Sequence, residues 1–353
     1  MTFNLQESFK ERGLGVYSIF RQGLSDDCHF LLPSSDDQEI VRYINSIIEL
    51  RHIDIIIDQY GWDSILCHKE NKIPGSVKII RCFHSDVIER NMTRRLLGDF
   101  YGKPFKSFFL DCIRWINTQR RQKRNLSQLK QAIPYIDKLV LLAPAYIESL
   151  RSKKIKSDKI ISIPNGIQAS SVQFSRKVNS VLFCGRIIHN PKNVFFLIKL
   201  WKSLQKYNDW QLIIVGDGED LQRLKSFAKR KHINNILFTK FVDPSDYYCK
   251  AKILLLPSFS EGFGMVLLEG MTHGCVPVVF DVSPAYYDII EDGESGFIAK
   301  NNKDYIQKCD YLMTHPVSLK EMSVKAKSRV DNLFPLDVIT DKWVHLFNEL
   351  IDG

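Results

Sequence analysis

Several familiar signals are missing from the 353 residues. No stretch approaches the roughly 18 uninterrupted apolar residues that a membrane-spanning helix needs. The opening MTFNLQESFKERG lacks the charged-then-apolar layout of a secretory leader, so a cytoplasmic chain is expected, with the inner face of the cell membrane as its other station. The eight cysteines, Cys28, Cys67, Cys82, Cys112, Cys184, Cys249, Cys275 and Cys309, form no C-x-x-C pair. Surroundings such as LFCGR favour buried reduced thiols over zinc ligands or disulfides. No D-x-D metal motif, internal repeat or low-complexity tract occurs. What remains has the composition of a globular protein, 44% hydrophobic and 25% charged, and is long enough for two domains.

Charge is plentiful but unevenly spread. The chain carries +9 overall, yet residues 87–159 hold 17 Lys+Arg against 6 Asp+Glu, a local excess of +11. Runs such as NTQRRQKRNLSQLK and RSKKIKSDK fit either a solvated helix surface or a face attracted to anionic lipid head groups or a diphosphate-bearing acceptor. A nucleic-acid partner is not expected, because the cluster lacks interleaved aromatics and carries no zinc-finger or RNA-recognition signature.

Apolar runs alternate with amphipathic stretches, the pattern of parallel α/β architecture. Strands are expected at GVYSIF, IDIIID, VKIIRCF and DKLVLLA in the first half, and at NSVLFCG, QLIIVG, NILFT, AKILLLP and VPVVF in the second. Runs apolar at nearly every position fit strands covered on both faces. Between the two series, IISIPNGIQASSVQFSRK reads as an interdomain turn and linker, with a boundary near residue 168.

The stretch SFSEGFGMVLLEGMTHG at 258–274 combines a strand-end loop with the start of a helix. Ligands of open parallel sheets bind at the carboxyl ends of strands. The N-H groups around Gly264, Met265 and Val266 suit a phosphate, and Gly262 and Gly264 let the backbone come close. Glu269, about one turn into the helix, is placed to accept hydrogen bonds from a ribose diol. Glu261 could accept hydroxyls of whatever hangs from the far phosphate. A nucleotide diphosphate carrying a polyol answers this geometry, and a sugar nucleotide is the commonest such molecule.

The E-x7-E spacing of Glu261 and Glu269, within PSFSEGFGMVLLEGMTHGCVPVV, resembles the signature of glycosyltransferase family 4. IPNGI at 163–167, FCGRIIHNPKN at 183–193, LIIVGDGED at 212–220, FTKFV at 238–242 and DGESGFIA at 292–299 extend the resemblance over nearly all of residues 160–300. It implies a GT-B fold: an acceptor-binding Rossmann-like domain at 1–168, a donor-nucleotide domain at 169–335 with the cleft between them, and a helix at 336–353 crossing back. Interdomain closure would exclude water from the transfer.

The same resemblance implies the residue roles. Arg186 and Lys192 match a basic pair that stabilises charge on the departing diphosphate without a metal or other cofactor. Glu269 matches the ribose ligand and Glu261 the residue near the sugar hydroxyls, with Gly262, Phe263, Gly264, Met265 and Val266 lining the pocket. Gly216, in GDG, either shapes the nucleotide cleft or is purely structural. Base contacts are expected around Phe241 and Val242, for a UDP- or GDP-linked donor. His84, in RCFHSD, matches the position that reaches the donor sugar; Arg81 and Asp86 are weaker candidates, and Gln59 to Asp63 are candidates for touching the acceptor. The implied activity is a retaining hexosyl transfer to a hydroxyl of a glycan or lipid-linked glycan in surface polysaccharide biosynthesis, with residues 87–159 resting on an anionic membrane. A sugar-nucleotide epimerase or hydrolase and an inactive truncated nucleotide-binding module are the alternatives.

One departure from the family stands out. The usual first strand and glycine-rich loop are absent before TFNLQESFKERG, which reads as a helix with Leu5 and Phe9 on one face and Gly13 ending it. The coding frame is therefore expected to continue upstream. LDVITDKWVHLFNELI reads as an amphipathic helix with Val338, Trp343, Leu346, Phe347 and Leu350 as its apolar positions, packing on the first domain and hinging the cleft.

Overall fold

A computed structural model describes residues 3–20, 26–32, 36–59, 66, 73–84, 105–170, 177–240 and 242–353. The chain divides into two units: Met1–Ile88, Asn117–Gly166 and Leu336–Gly353 form one, Glu89–Ile116 and Ile167–Pro335 the other.

The first unit begins with helix α1 (Phe3–Glu11), which buries Leu5 and Phe9. Gly13 ends it at φ 78°: its N-H bonds to the Lys10 carbonyl, and the Leu14 N-H reaches back to that of Phe9. This pair of bonds closes a helix around a left-handed residue. Strands β1 (Ser18–Phe20) and β2 (His29–Leu31) pair in parallel as a small separate sheet. Helix α2 (Asp37–Arg51) is capped by Asp36, whose carboxylate accepts the Glu39 N-H. The main sheet is four-stranded and parallel, in the order β3 (Ile55–Asp58), β4 (Lys78–Phe83), β5 (Lys138–Leu141), β6 (Ile160–Ser162). The long α3 (Phe105–Ala132) lies between β4 and β5 in sequence, and α4 (Pro144–Ser152) joins β5 to β6. From 117 onward α3 exposes Arg120, Arg121, Lys123, Arg124 and Lys130.

The second unit holds a six-stranded parallel sheet in the order β12 (Phe297–Ala299), β11 (Val276–Phe280), β10 (Ile253–Leu256), β7 (Ser180–Cys184), β8 (Gln211–Val215), β9 (Ile236–Thr239). Along the chain run β7 (Ser180–Cys184), α5 (Val194–Leu204), β8 (Gln211–Val215), α6 (Leu221–Arg230), β9 (Ile236–Thr239), α7 (Ser245–Lys250), β10 (Ile253–Leu256), α8 (Met265–Thr272), β11 (Val276–Phe280), α9 (Tyr286–Ile289), β12 (Phe297–Ala299), α10 (Asn302–Thr314) and α11 (Pro316–Leu333). Every residue of β10 and β11 is buried, which is why these segments are apolar throughout rather than alternating.

The last helix, α12 (Leu336–Asp352), belongs to the first unit. Its Ile339, Trp343, Leu346, Phe347 and Leu350 pack with Leu5 and Phe9 of α1 onto Ile80, Cys82, Val140 and Ile163. Phe9 meets Phe347 edge-on at 5.3 Å. The buried Thr340 hydroxyl donates to Ser8 at 2.9 Å, and Arg12 pairs with Asp341. Gly166 lies so close to this helix that an added Cβ would sit 2.9 Å from the Leu336 Cα.

Three expectations need correction. Val338 is 44% exposed and Ile339 fully buried, because the buried stripe runs 339, 343, 346–347, 350 at helical spacing and leaves 338 outside it. Residues 160–162, expected in the linker, form edge strand β6; three residues with one buried side chain give too short a pattern to separate from a turn. Strands β2 and β12, equally short, were not expected either.

Candidate functional site

In the second sheet the chain leaves β7 for β8 and β9 on one side and returns to β10 on the other. The order reverses between β7 and β10, and the crevice beyond the carboxyl ends of such a pair is where open α/β sheets hold ligands. The loops following β7, β8 and β10 carry Arg186 with Lys192, Gly216, and Glu261 with its glycines.

Those loops are tied to one another. The Asn193 side-chain amide donates to the Pro257 carbonyl at 3.0 Å, and the Phe259 N-H to that of Pro191 at 2.8 Å. Asn193 itself takes the left-handed conformation, φ 55°, which asparagine tolerates better than most residues. These bonds bring Lys192 Nζ to Glu261 Oε1, 2.5 Å away, with both side chains largely shielded, 19% and 12% exposed. The fully buried Ser258 hydroxyl donates to the same oxygen at 2.6 Å. Lys192 thus has a counter-charge at the mouth of the crevice, and Glu261 keeps Oε2 for other donors. Arg186 is exposed, and its side chain has no protein partner among the described residues.

Gly216, φ 143°, follows β8 against the chain that follows β7. A Cβ there would lie 2.0 Å from the Gly185 carbonyl oxygen, so only glycine fits. The Ile187 N-H donates to the Asp217 carbonyl, and the Asp220 carboxylate accepts the His189 N-H. Of the two roles left open for Gly216, the structural one has this direct basis.

Gly264, φ 88°, is the residue before α8, and no side chain caps the helix. Its first turn therefore presents the unpaired N-H groups that every helix start leaves, here at Met265 and Val266. The Gly262 carbonyl accepts the Ser283 hydroxyl, and Phe263 is 3% exposed against Phe334, so Phe263 anchors the loop instead of lining an open pocket. Glu269 accepts the Tyr248 hydroxyl on Oε2 at 2.8 Å. Burial foremost, then the Glu269 charge, holds the Tyr248 phenol far above its ordinary pKa, keeping it a proton donor. Burial likewise raises the Cys184 thiol, with Glu269 adding to it and Lys192 opposing. Val242 is exposed, whereas Phe241 lies outside the described residues.

In the first unit His84 follows β4 and Gln59 follows the neighbouring β3. The His84 Nε2-H donates to Gln59 Oε1 at 3.0 Å. Although an edge of the ring is open to solvent, burial of the rest lowers its pKa to about 4, so the imidazole is neutral at physiological pH. Arg81 is buried, with its guanidinium 5.1 Å from the Phe83 ring, which removes it from the strand-end loop. The remaining acceptor candidates, Tyr60 to Asp63 with Trp62 among them, lie outside the described residues, as does Asp86.

Sequence reasoning missed Ser258, Asn193 and Tyr248. Ser258 stands three residues before Glu261, a spacing that suits a hydroxyl-to-carboxylate bond across a tight turn. Tyr248 is 21 residues from Glu269, and no local pattern joins them.

Residues 167–329 match the family model for glycosyl transferases group 1. An uncharacterized glycosyltransferase of Haemophilus influenzae is 31% identical over 219 residues, 60% of this chain and 61% of that one. In Campylobacter jejuni an alpha-1,4-N-acetyl-D-galactosaminyltransferase, named for a PP-undecaprenol-linked acceptor, is 31% identical over 183 residues, 49% of each chain. The matched parts thus span about half to three-fifths of those relatives. Sucrose-phosphate synthase from Thermosynechococcus elongatus superposes with TM-score 0.75 at 16% identity, covering 99% of this chain and 92% of that one. The fold is GT-B. Glycosyltransferases of glycan biosynthesis are among the relatives that it matches.

Proposed function

We propose that the chain is a glycosyltransferase that moves a hexosyl group from a UDP- or GDP-linked sugar to a hydroxyl of a glycan or lipid-linked glycan in surface polysaccharide biosynthesis, with retention and without a metal. The observation that carries this reading is the convergence at the switch point of the second sheet. There the strand-end loops carry the exposed Arg186 and the shielded Lys192 paired with Glu261, and α8, which starts from one of those loops, carries Glu269.

In this reading Arg186, Lys192 and the N-H groups of Met265 and Val266 take the diphosphate and stabilise charge as it leaves the sugar. Glu261 supplies the counter-charge for Lys192 and offers Oε2 to the sugar hydroxyls. Glu269 accepts the ribose hydroxyls, and Gly216, Phe241 and Val242 border the nucleoside. His84, neutral, serves the donor sugar as a hydrogen-bonding group. The C. jejuni relative's name supports a lipid-linked acceptor. The exposed arginines and lysines of α3 support contact with an anionic membrane.

The test is thermal unfolding against UDP, GDP, ADP and CDP with Glu269→Ala as control, followed by product analysis with donor alone and with donor plus lipid-linked glycan. A ligand at about 100 times its dissociation constant stabilises by roughly 2.7 kcal/mol, a shift of several degrees. Binding of one nucleotide, loss of it in Glu269→Ala, and product only with acceptor are expected. Free sugar or an epimer from donor alone would replace transfer with hydrolysis or epimerisation. Proton NMR of the new anomeric centre checks retention, and full activity after chelation checks metal independence.

A further inference from the structure

Glu269 is shared between two elements that sequence places far apart. Tyr248, 2% exposed on α7, points its hydroxyl at Glu269 Oε2, 2.8 Å away. The tyrosine is itself held on three sides. Its carbonyl accepts the Lys177 ammonium at 2.9 Å and the Cys275 thiol at 3.2 Å. Its ring stacks on His273 at 5.7 Å and 28°. His273 in turn donates from Nδ1 to the Glu269 carbonyl at 2.7 Å, so one imidazole braces both the ring and the backbone of its target. The other Glu269 oxygen, Oε1, has no protein donor among the described residues.

We infer that Tyr248 is a positioning residue that fixes the Glu269 rotamer and occupies Oε2, so that Glu269 recognises a nucleoside diol through Oε1 alone. The inference rests on the assignment of Glu269 to the ribose. A carboxylate free to rotate loses orientation when it binds; one anchored by a buried phenol has already given up that freedom, and its remaining oxygen is directed. Because the Tyr248 phenol stays protonated, the anchor does not vary with pH in the working range. Ser258 holds Glu261 in the same way, by a hydroxyl on one oxygen, so both carboxylates of the motif are one-oxygen acceptors.

The experiment compares binding of UDP and GDP with their 2′,3′-dideoxy counterparts by calorimetry, for the full chain, Tyr248→Phe, Glu269→Ala and the double variant. Tyr248→Phe keeps the ring on His273, and circular dichroism confirms that each variant is folded. The expected result is a preference for the ribose form in the unaltered chain that falls about tenfold in Tyr248→Phe, with dideoxy binding unchanged and no further loss when Tyr248→Phe is added to Glu269→Ala. A Tyr248→Phe variant that keeps the full preference, or weakens both forms equally, overturns the inference while leaving the ribose assignment intact. If the unaltered chain shows no preference, or binds neither nucleotide, the ribose assignment falls and the inference with it.

Discussion

The described links at the carboxyl ends of the two main sheets are of different kinds. In the second sheet they are stitched to one another by backbone and side-chain hydrogen bonds, from Asn193 to Pro257, Phe259 to Pro191 and Ser283 to Gly262, and each carboxylate has a hydroxyl anchor. In the first sheet a side-chain bond links the ends of two neighbouring strands, His84 after β4 to Gln59 after β3. A site for a diphosphate must place several charges at once, and stitching fixes them before the ligand arrives.

That contrast breaks hardest at Lys192. Lys192→Ala is expected to lower kcat/KM by about a hundredfold or more, the cost of removing one preorganised donor from a developing oxyanion. Steady-state kinetics with saturating acceptor would show it. Gly216→Ala follows, since a Cβ 2.0 Å from the Gly185 oxygen forces the two stitched loops apart; a loss of about 3 kcal/mol is expected in urea unfolding.

Helix α12 sharpens the comparison from the other side. Ile339→Ala should cost about 2–4 kcal/mol, whereas Val338→Ala, one residue away and exposed, should change stability by less than about 0.5 kcal/mol. Deleting 336–353 should unfold the first unit, and an intact, active deletion variant would show that α12 is dispensable.

The smallest effect is at His84. Its pKa falls from 6.5 to about 4 on folding, so the folded chain favours the neutral ring. Its contribution is complete above about pH 6.5 and is lost as pH falls towards 4. His84→Asn should therefore narrow the difference in Tm between pH 7 and pH 4.5 slightly, the partial exposure of the ring keeping the change small.

The same contrast explains what could be read beforehand. Strands β7, β8, β10 and β11 of the second sheet are buried at nearly every position, and the motif loops lie in sequence beside the strands that position them. Glu261, Glu269 and Gly264 were therefore visible as a group, and Lys192 through the family resemblance. Tyr248 was not, because its meeting with Glu269 is made by the fold across 21 residues. Strands β2, β6 and β12 were missed for a different reason: three residues cannot display a period. Val338 was misplaced because two adjacent β-branched residues, 338 and 339, compete for one stripe, and packing on α1 and the sheet decides between them.

One consequence concerns synthesis. Within the second unit, the long segment 167–335 has its ends tied together: Ile167 bridges to Pro335 and its N-H bonds to the Phe334 carbonyl. The first unit, by contrast, draws on Leu5 and Phe9 at one end and on Ile339 to Leu350 at the other. On the ribosome the middle of the chain can complete its core while the beginning waits, with Ile80 and Val140 lacking their cover until α12 emerges. The sheet of the second unit is thus the first to mature, and the earlier-made unit is the last to finish.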